Sequence, residues 1–188
     1  MPSVVSDIVD AYVVRRLNAS VQFLLLQRSG EVAMPHTWQG CHTQIDEDEP
    51  TLTAVIRAVK TYTGLNVSAI FAADYVNQFY DETRDLLVLA PVFAVNVHPQ
   101  APVDLSDDYR DAAWFSEAEA AARLPFAGQR AAVHRIAEVL GIGEAEADMY
   151  RLDIAPFLPD PATSAAEPHD HDVFPGGPLP HDRIDDPL

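Results

Sequence analysis

The sequence predicts an α/β fold, a mixed sheet held between helices in an α/β/α sandwich. Three observations carry this: an apolar hairpin near the start, one amphipathic helix with strand-like runs on both sides of it, and two helices at the end. Residues 11–14 and 21–26 are dense in β-branched, aromatic and aliphatic side chains. The polar turn Asn18-Ala19-Ser20 lies between them, so they read as a hairpin. Ser29, Gly30 and Pro35 mark a loop, followed by a short segment, 37–45, and the acidic run Asp46-Glu47-Asp48-Glu49-Pro50. Over residues 51–63, Leu52, Val55, Ile56 and Val59 recur at i, i+3, i+4 and i+7, the spacing of one buried helical face, and Gly64 stops the helix. Extended stretches are expected at 67–79, 86–97 and 112–115. Helices are expected at 116–123 and 128–140, separated by Leu124-Pro125-Phe126.

Of the 188 residues, 48% are hydrophobic and 22% charged, the composition of a globular chain with a real core. Residues 1–141 read as one domain and 142–188 as an acidic, proline-rich tail. Beyond residue 150 eight acids face two arginines, and eight of the fifteen prolines lie between Pro156 and Pro187. Ile154, Phe157, Leu158 and Phe174 are the side chains expected to anchor that stretch, either to the domain or to a second copy in a homodimer. The longest apolar runs are about a dozen residues, short of the roughly 20 that cross a bilayer, and the first ten residues lack a basic segment. No membrane partner and a cytoplasmic location are therefore expected. A net charge of −17 opposes binding to nucleic acid. Cys41, the only cysteine, allows neither an intramolecular disulfide nor a cysteine-based zinc site.

Residues 38–67 resemble the box of the Nudix family, Gly-x5-Glu-x7-Arg-Glu-U-x-Glu-Glu-x-Gly-U, where U is a bulky aliphatic. Laid on Gly64 and Leu65, the motif puts its first Glu on Glu49, its Arg on Arg57 and an aliphatic on Val59 without a gap. Its first Gly falls on Thr43. The Glu after the Arg falls on Ala58, and the Glu-Glu pair falls on Thr61 and Tyr62. The preceding Leu24-Leu25-Leu26-Gln27-Arg28, the approach Trp38-Gln39 and the later Trp114-Phe115 are similar to the bacterial dATP and dihydroneopterin triphosphate pyrophosphohydrolase branch. The resemblance implies a Nudix-type fold, a nucleotide or related diphosphate as ligand, and Mg²⁺ or Mn²⁺ as cofactor in a member that is active.

The box is degenerate. Positions 58, 61 and 62 share one helical face at 100° per residue, beside the apolar stripe. Carboxylates there would bind metal, bridge a diphosphate and activate water. Alanine has no ligand atom, threonine offers a neutral hydroxyl, and a phenol is un-ionised near neutral pH. Lys60 points elsewhere on the helix. The resemblance makes Arg57 a structural tie to the preceding loop through Glu49, gives Arg28 a reach to substrate phosphates, and lets Trp38 and Gln39 face a base or pterin ring. It also makes Asp108 a candidate carboxylate outside the box. Asp46, Glu47 and Asp48 read as a solvated loop or as metal recruits beside Glu49. His42 reads as structural or as a base, and His169-Asp170-His171-Asp172 as a compositional feature of the tail.

The expectation is thus a Nudix-like pseudoenzyme of the nucleoside-triphosphate pyrophosphohydrolase type that binds its ligand with weak or no hydrolysis. One alternative is an active Mg/Mn-dependent hydrolase whose ligands have moved to Asp46, Glu47, Glu49 and Asp108. The other is a non-catalytic scaffold or assembly protein.

Overall fold

A computed structural model describes residues 1–17 and 20–158. In chain order the elements are β1 (Ser3–Val5), β2 (Ile8–Leu17), β3 (Ser20–Arg28), β4 (Trp38–Gln39), β5 (Cys41–Gln44), α1 (Thr51–Thr63), β6 (Val67–Asp81), β7 (Leu86–Val97), β8 (Tyr109–Ser116), α2 (Glu117–Arg123), α3 (Ala127–Gly141), α4 (Glu144–Asp148) and β9 (Arg151–Leu152). A short 3-10 helix, Ala155–Phe157, follows.

Within the described residues the nine strands make one mixed sheet. The expected hairpin is β2 against β3, antiparallel from Val13↔Leu24 to Leu17↔Ser20; Asn18 and Ala19 of its turn lie outside the described residues. On its other edge β2 runs parallel to β7, Asp10↔Val92 to Val14↔Asn96. Its first half also pairs with β5, which places Asp10 opposite His42 and Val9 opposite Thr43. The first seven residues of β2 are all buried, which requires cover on both faces. Alternation supplies it: Val9, Ala11 and Val13 pack with α1, while Tyr12 and Val14 pack with α2 and α3.

Helix α1 spans the residues that the apolar spacing marked. It ends on Gly64, whose φ of 68° is left-handed and whose N–H donates to the Lys60 carbonyl. A Cβ at Gly64 would also stand 2.9 Å from the Cβ of Asp104, so glycine is required twice over at this position. Asp104 belongs to the loop 98–108, which lies along the C-terminal half of α1. The Asp104 and Ser106 amides donate to the Thr63 and Tyr62 carbonyls at 2.9 and 3.3 Å, and Ala101, Val103 and Leu105 pack on the same core cluster as the helix. α2 starts with a capping box, the Ser116 side chain accepting from the Glu119 amide and the Glu119 side chain accepting from Ser116 N–H.

Order continues past Gly141, where the tail was expected to begin. β9 pairs with Ile70 and Phe71 of β6. Ile154 and Phe157 pack on the α1-side core, as anchors should, but Leu158 is exposed. Phe174 and the His169–Asp172 run lie outside the described residues. β1, too short to register as a pattern in the sequence, pairs parallel with β7. No helix of the described residues is long and apolar enough to cross a membrane.

Candidate functional site

The box frame is held by ion pairing. Arg57, from the second turn of α1, donates Nε to Glu49 Oε1 at 2.8 Å and Nη2 to Oε2 at 2.7 Å. It also donates to the Gln44 carbonyl at 3.0 Å and lies 3.4 Å from Asp46 Oδ2. The Asp46 amide donates to Glu49 Oε2 at 3.1 Å, so both oxygens of Glu49 are engaged. The side chain of Glu49 is 10% exposed. Glu47 and Asp48 are exposed, and no acid lies in the first turn of α1. The acidic loop is therefore fastened by Arg57.

Burial pushes the Glu49 carboxyl up, but the Arg57 hydrogen bonds and the Asp46 amide outweigh it and leave the group below its ordinary 4.5. A depressed folded pKa adds stability that is complete above the unfolded value and lost as pH falls through the folded one. Wild type is thus expected to exceed Glu49→Gln by about 1–2 kcal/mol near neutrality. Melting curves taken from pH 7 downward should show the gap closing below about 4.5. A gap that stays constant to pH 3 would count against the pair.

The degenerate face does not form a single open surface. Ala58 is 1% exposed and belongs to the core with Val55 and Val59, Thr61 is exposed, and Tyr62 is half-buried. The physical reason is the loop 98–108: α1 has the sheet on one side and this loop on another, so its buried arc is wider than the apolar stripe. The Tyr62 hydroxyl donates to Thr43 Oγ1 at 3.4 Å, and its ring stands edge-on to Tyr109 with centroids 5.4 Å apart. Burial raises the Tyr62 pKa above that of an ordinary phenol, so it offers no anionic oxygen.

These residues do not fit a Mg²⁺ or Mn²⁺ ion. One box position lacks a ligand atom, two are neutral, and Glu49 is taken up by Arg57. The carboxylates proposed to have moved do not converge either. Among the described residues no three His, Cys, Asp or Glu side chains come together as a metal-binding group, and Asp108 is exposed.

The expected ligand-facing residues are engaged within the protein, Gln39 and Trp38 in the interior and Arg28 with the loop beside it. Gln39 is buried; its Nε2 donates to the Tyr109 hydroxyl at 2.9 Å and its Oε1 accepts from Arg28 Nη1 at 3.3 Å. Arg28 Nε donates to the Ala33 carbonyl. Trp38 is half-buried and packs at 90° against Phe115, centroids 5.3 Å apart, in the plug arrangement of a core aromatic. Lys60 donates to the Gly64 carbonyl and to Asn66 Oδ1. Cys41 is buried, which lifts its thiol to about 12 and leaves it unreactive.

A second polar cluster, not foreseen, lies on the opposite face of the sheet. Asp10, 3% exposed, bonds His42 Nδ1 through Oδ1 and accepts from Asn77 Nδ2 at 3.0 Å through Oδ2. His42 also tilts against Phe79. Asn77 abuts Gly128 at the start of α3, where a Cβ would stand 2.0 Å from Asn77 Oδ1. The signal in the sequence was an aspartate inside an apolar strand, Val9-Asp10-Ala11, which calls for a partner.

The family model of the NUDIX domain matches residues 8–135. A search of curated proteins returned no match. Among solved structures, a C. elegans Ap4A hydrolase in a binary complex is 20% identical with a TM-score of 0.61, covering 72% of this chain and 98% of that one. The MutT protein of Methanosarcina mazei is 25% identical, with a TM-score of 0.59 and coverage of 71% and 93%. The E. coli dihydroneopterin triphosphate pyrophosphohydrolase is 15% identical, with a TM-score of 0.59 and coverage of 71% and 98%.

Proposed function

Because this chain belongs to the Nudix family, its residues 8–135 matching the family model, we propose that it binds a nucleotide or related diphosphate and hydrolyses it weakly or not at all. The observation that carries this reading is Tyr62, a half-buried phenol bonded to Thr43 at a position where the family signature has a glutamate. Hydrolysis in this family is a diphosphate reaction served by divalent metal, whose charge lowers the pKa of the attacking water. Here the chain's own groups would bind and orient a phosphate chain, and no carboxylate of the box stands ready to accept a proton. Losing carboxylates also removes repulsion toward a metal-free phosphate, so binding without turnover is a coherent outcome of the same substitutions.

The test is a screen of nucleoside triphosphates and dinucleoside polyphosphates with Mg²⁺ and with Mn²⁺, following phosphate release and melting temperature together. A ligand should raise the melting temperature while turnover stays below roughly 1 s⁻¹, an ordinary enzymatic rate. Faster release from any of these compounds would refute the reading. The variant Thr61→Glu/Tyr62→Glu belongs in the same screen, since gain of metal-dependent release would show the remaining groups to be competent.

A further inference from the structure

β8 carries a bulge that the box does not use. Gln27 pairs with Asp111 and Arg28 with Tyr109, so Arg110 is the extra residue. Such a bulge re-aims the side chain it carries. Arg110 Nη1 meets His36 Nδ1 at 3.1 Å. A guanidinium only donates, so Nδ1 is the acceptor and the proton of the neutral ring is assigned to Nε2.

His36 sits in a loop, 29–37, built to hold it. His36 has a φ of 64° and Met34 a φ of 50°, a conformation that side chains other than glycine seldom adopt. Arg28 clamps the loop: its N–H donates to the Thr37 carbonyl at 3.0 Å, and its carbonyl accepts from the His36 amide at 3.2 Å. The Thr37 hydroxyl donates to the Met34 carbonyl at 2.8 Å. Arg110 and His36 are both exposed. Asp107, Asp108 and Asp111 flank Arg110 in sequence, yet among the described residues no ion pair joins Arg110 or Arg28 to any carboxylate. Asp111 Oδ1 instead accepts from the Ala112 amide. In a chain of net charge −17 this is a local set of donors. Arg28 links it to the box through Gln39 and Tyr109, whose ring meets Tyr62.

We propose that Arg110 and His36 form an anion site that takes a phosphate group of the ligand without a metal ion. The fork of a guanidinium suits two phosphate oxygens, and the imidazole Nε2–H adds a third donor. The site rests on the reading above in taking its ligand to be phosphorylated, and it supplies from the protein the positive charge that the box no longer recruits.

The experiment titrates the full chain with inorganic pyrophosphate and, separately, with ADP, by calorimetry in excess EDTA. Both should bind, and Arg110→Gln should weaken both by about tenfold or more, since a charge-assisted bond is lost. His36→Asn, which tolerates the left-handed backbone, should weaken both by less. Unchanged affinity in Arg110→Gln overturns the site and leaves the nucleotide reading standing. Pyrophosphate binding that depends on Arg110, with ADP ignored, supports the site and overturns the nucleotide reading. Binding that appears only when Mg²⁺ replaces EDTA overturns the metal-free site, and no binding in either condition overturns both.

Discussion

Ala58→Glu is expected to destabilise the protein by about 3–5 kcal/mol. The methyl group of Ala58 is 1% exposed, in a cluster with Val55, Val59, Leu65 and Tyr109. A glutamate there must displace core side chains, which alone costs about 1–3 kcal/mol. It would also bring in a charge whose nearest helical arginine, Arg57, is already bonded to Glu49. Thr61→Glu is the internal control: exposed, it should shift stability by no more than about 0.5 kcal/mol. Urea denaturation of the two variants side by side decides the matter. If Ala58→Glu is as stable as wild type, the box face is more open than its burial indicates. If it is not, rebuilding the whole box is a poor assay of catalysis, because the variant fails as a fold before it is tested as an enzyme.

Asn77→Leu is expected to cost about 2–4 kcal/mol. Leucine keeps the branching of asparagine but is larger, so crowding against Gly128 adds to the loss of the hydrogen bond to Asp10 Oδ2, an oxygen of a nearly buried carboxylate with no other hydrogen-bond donor among the described residues. Gly128→Ala tests the same cluster from the helix side. Its Cβ would stand 2.0 Å from Asn77 Oδ1, so the amide must move and loosen its hold on Asp10. The two variants should be strongly non-additive, since each removes the same bond. Additive losses would mean that the cluster is not one unit.

Local patterns were legible where neighbours in sequence are neighbours in space. α1 was readable to the residue because four apolar side chains fix its face and Gly64 fixes its end. Likewise β2, β3, β6 and β7 followed from dense apolar runs, while the Glu49–Arg57 pair followed from the resemblance to the family's box. What stayed hidden depends on distant segments. The burial of Ala58 and Tyr62 is set by the loop 98–108, some forty residues downstream. The Asp10–His42 pair exists because β2 and β5 adopt one register, and a slip of β5 by one residue would turn His42 to the face away from Asp10. Arg110 is aimed by a bulge, which no composition announces. The resemblance named Arg28, Trp38 and Gln39 as ligand-facing candidates, but which way they face depends on contacts with Ala33, Phe115 and Tyr109.

The last described elements also bear on how the chain is made. β9 lies against Ile70 and Phe71 of β6, and Ile154 and Phe157 press on the core that α1 shares. A ribosome delivers α1 and most of the sheet well before these residues. Through that interval the nascent chain holds an unfinished sheet edge and a partly bare apolar surface, the kind of species that chaperones engage. The sheet is in that sense completed by a strand of two residues that the ribosome delivers after the strand it pairs with.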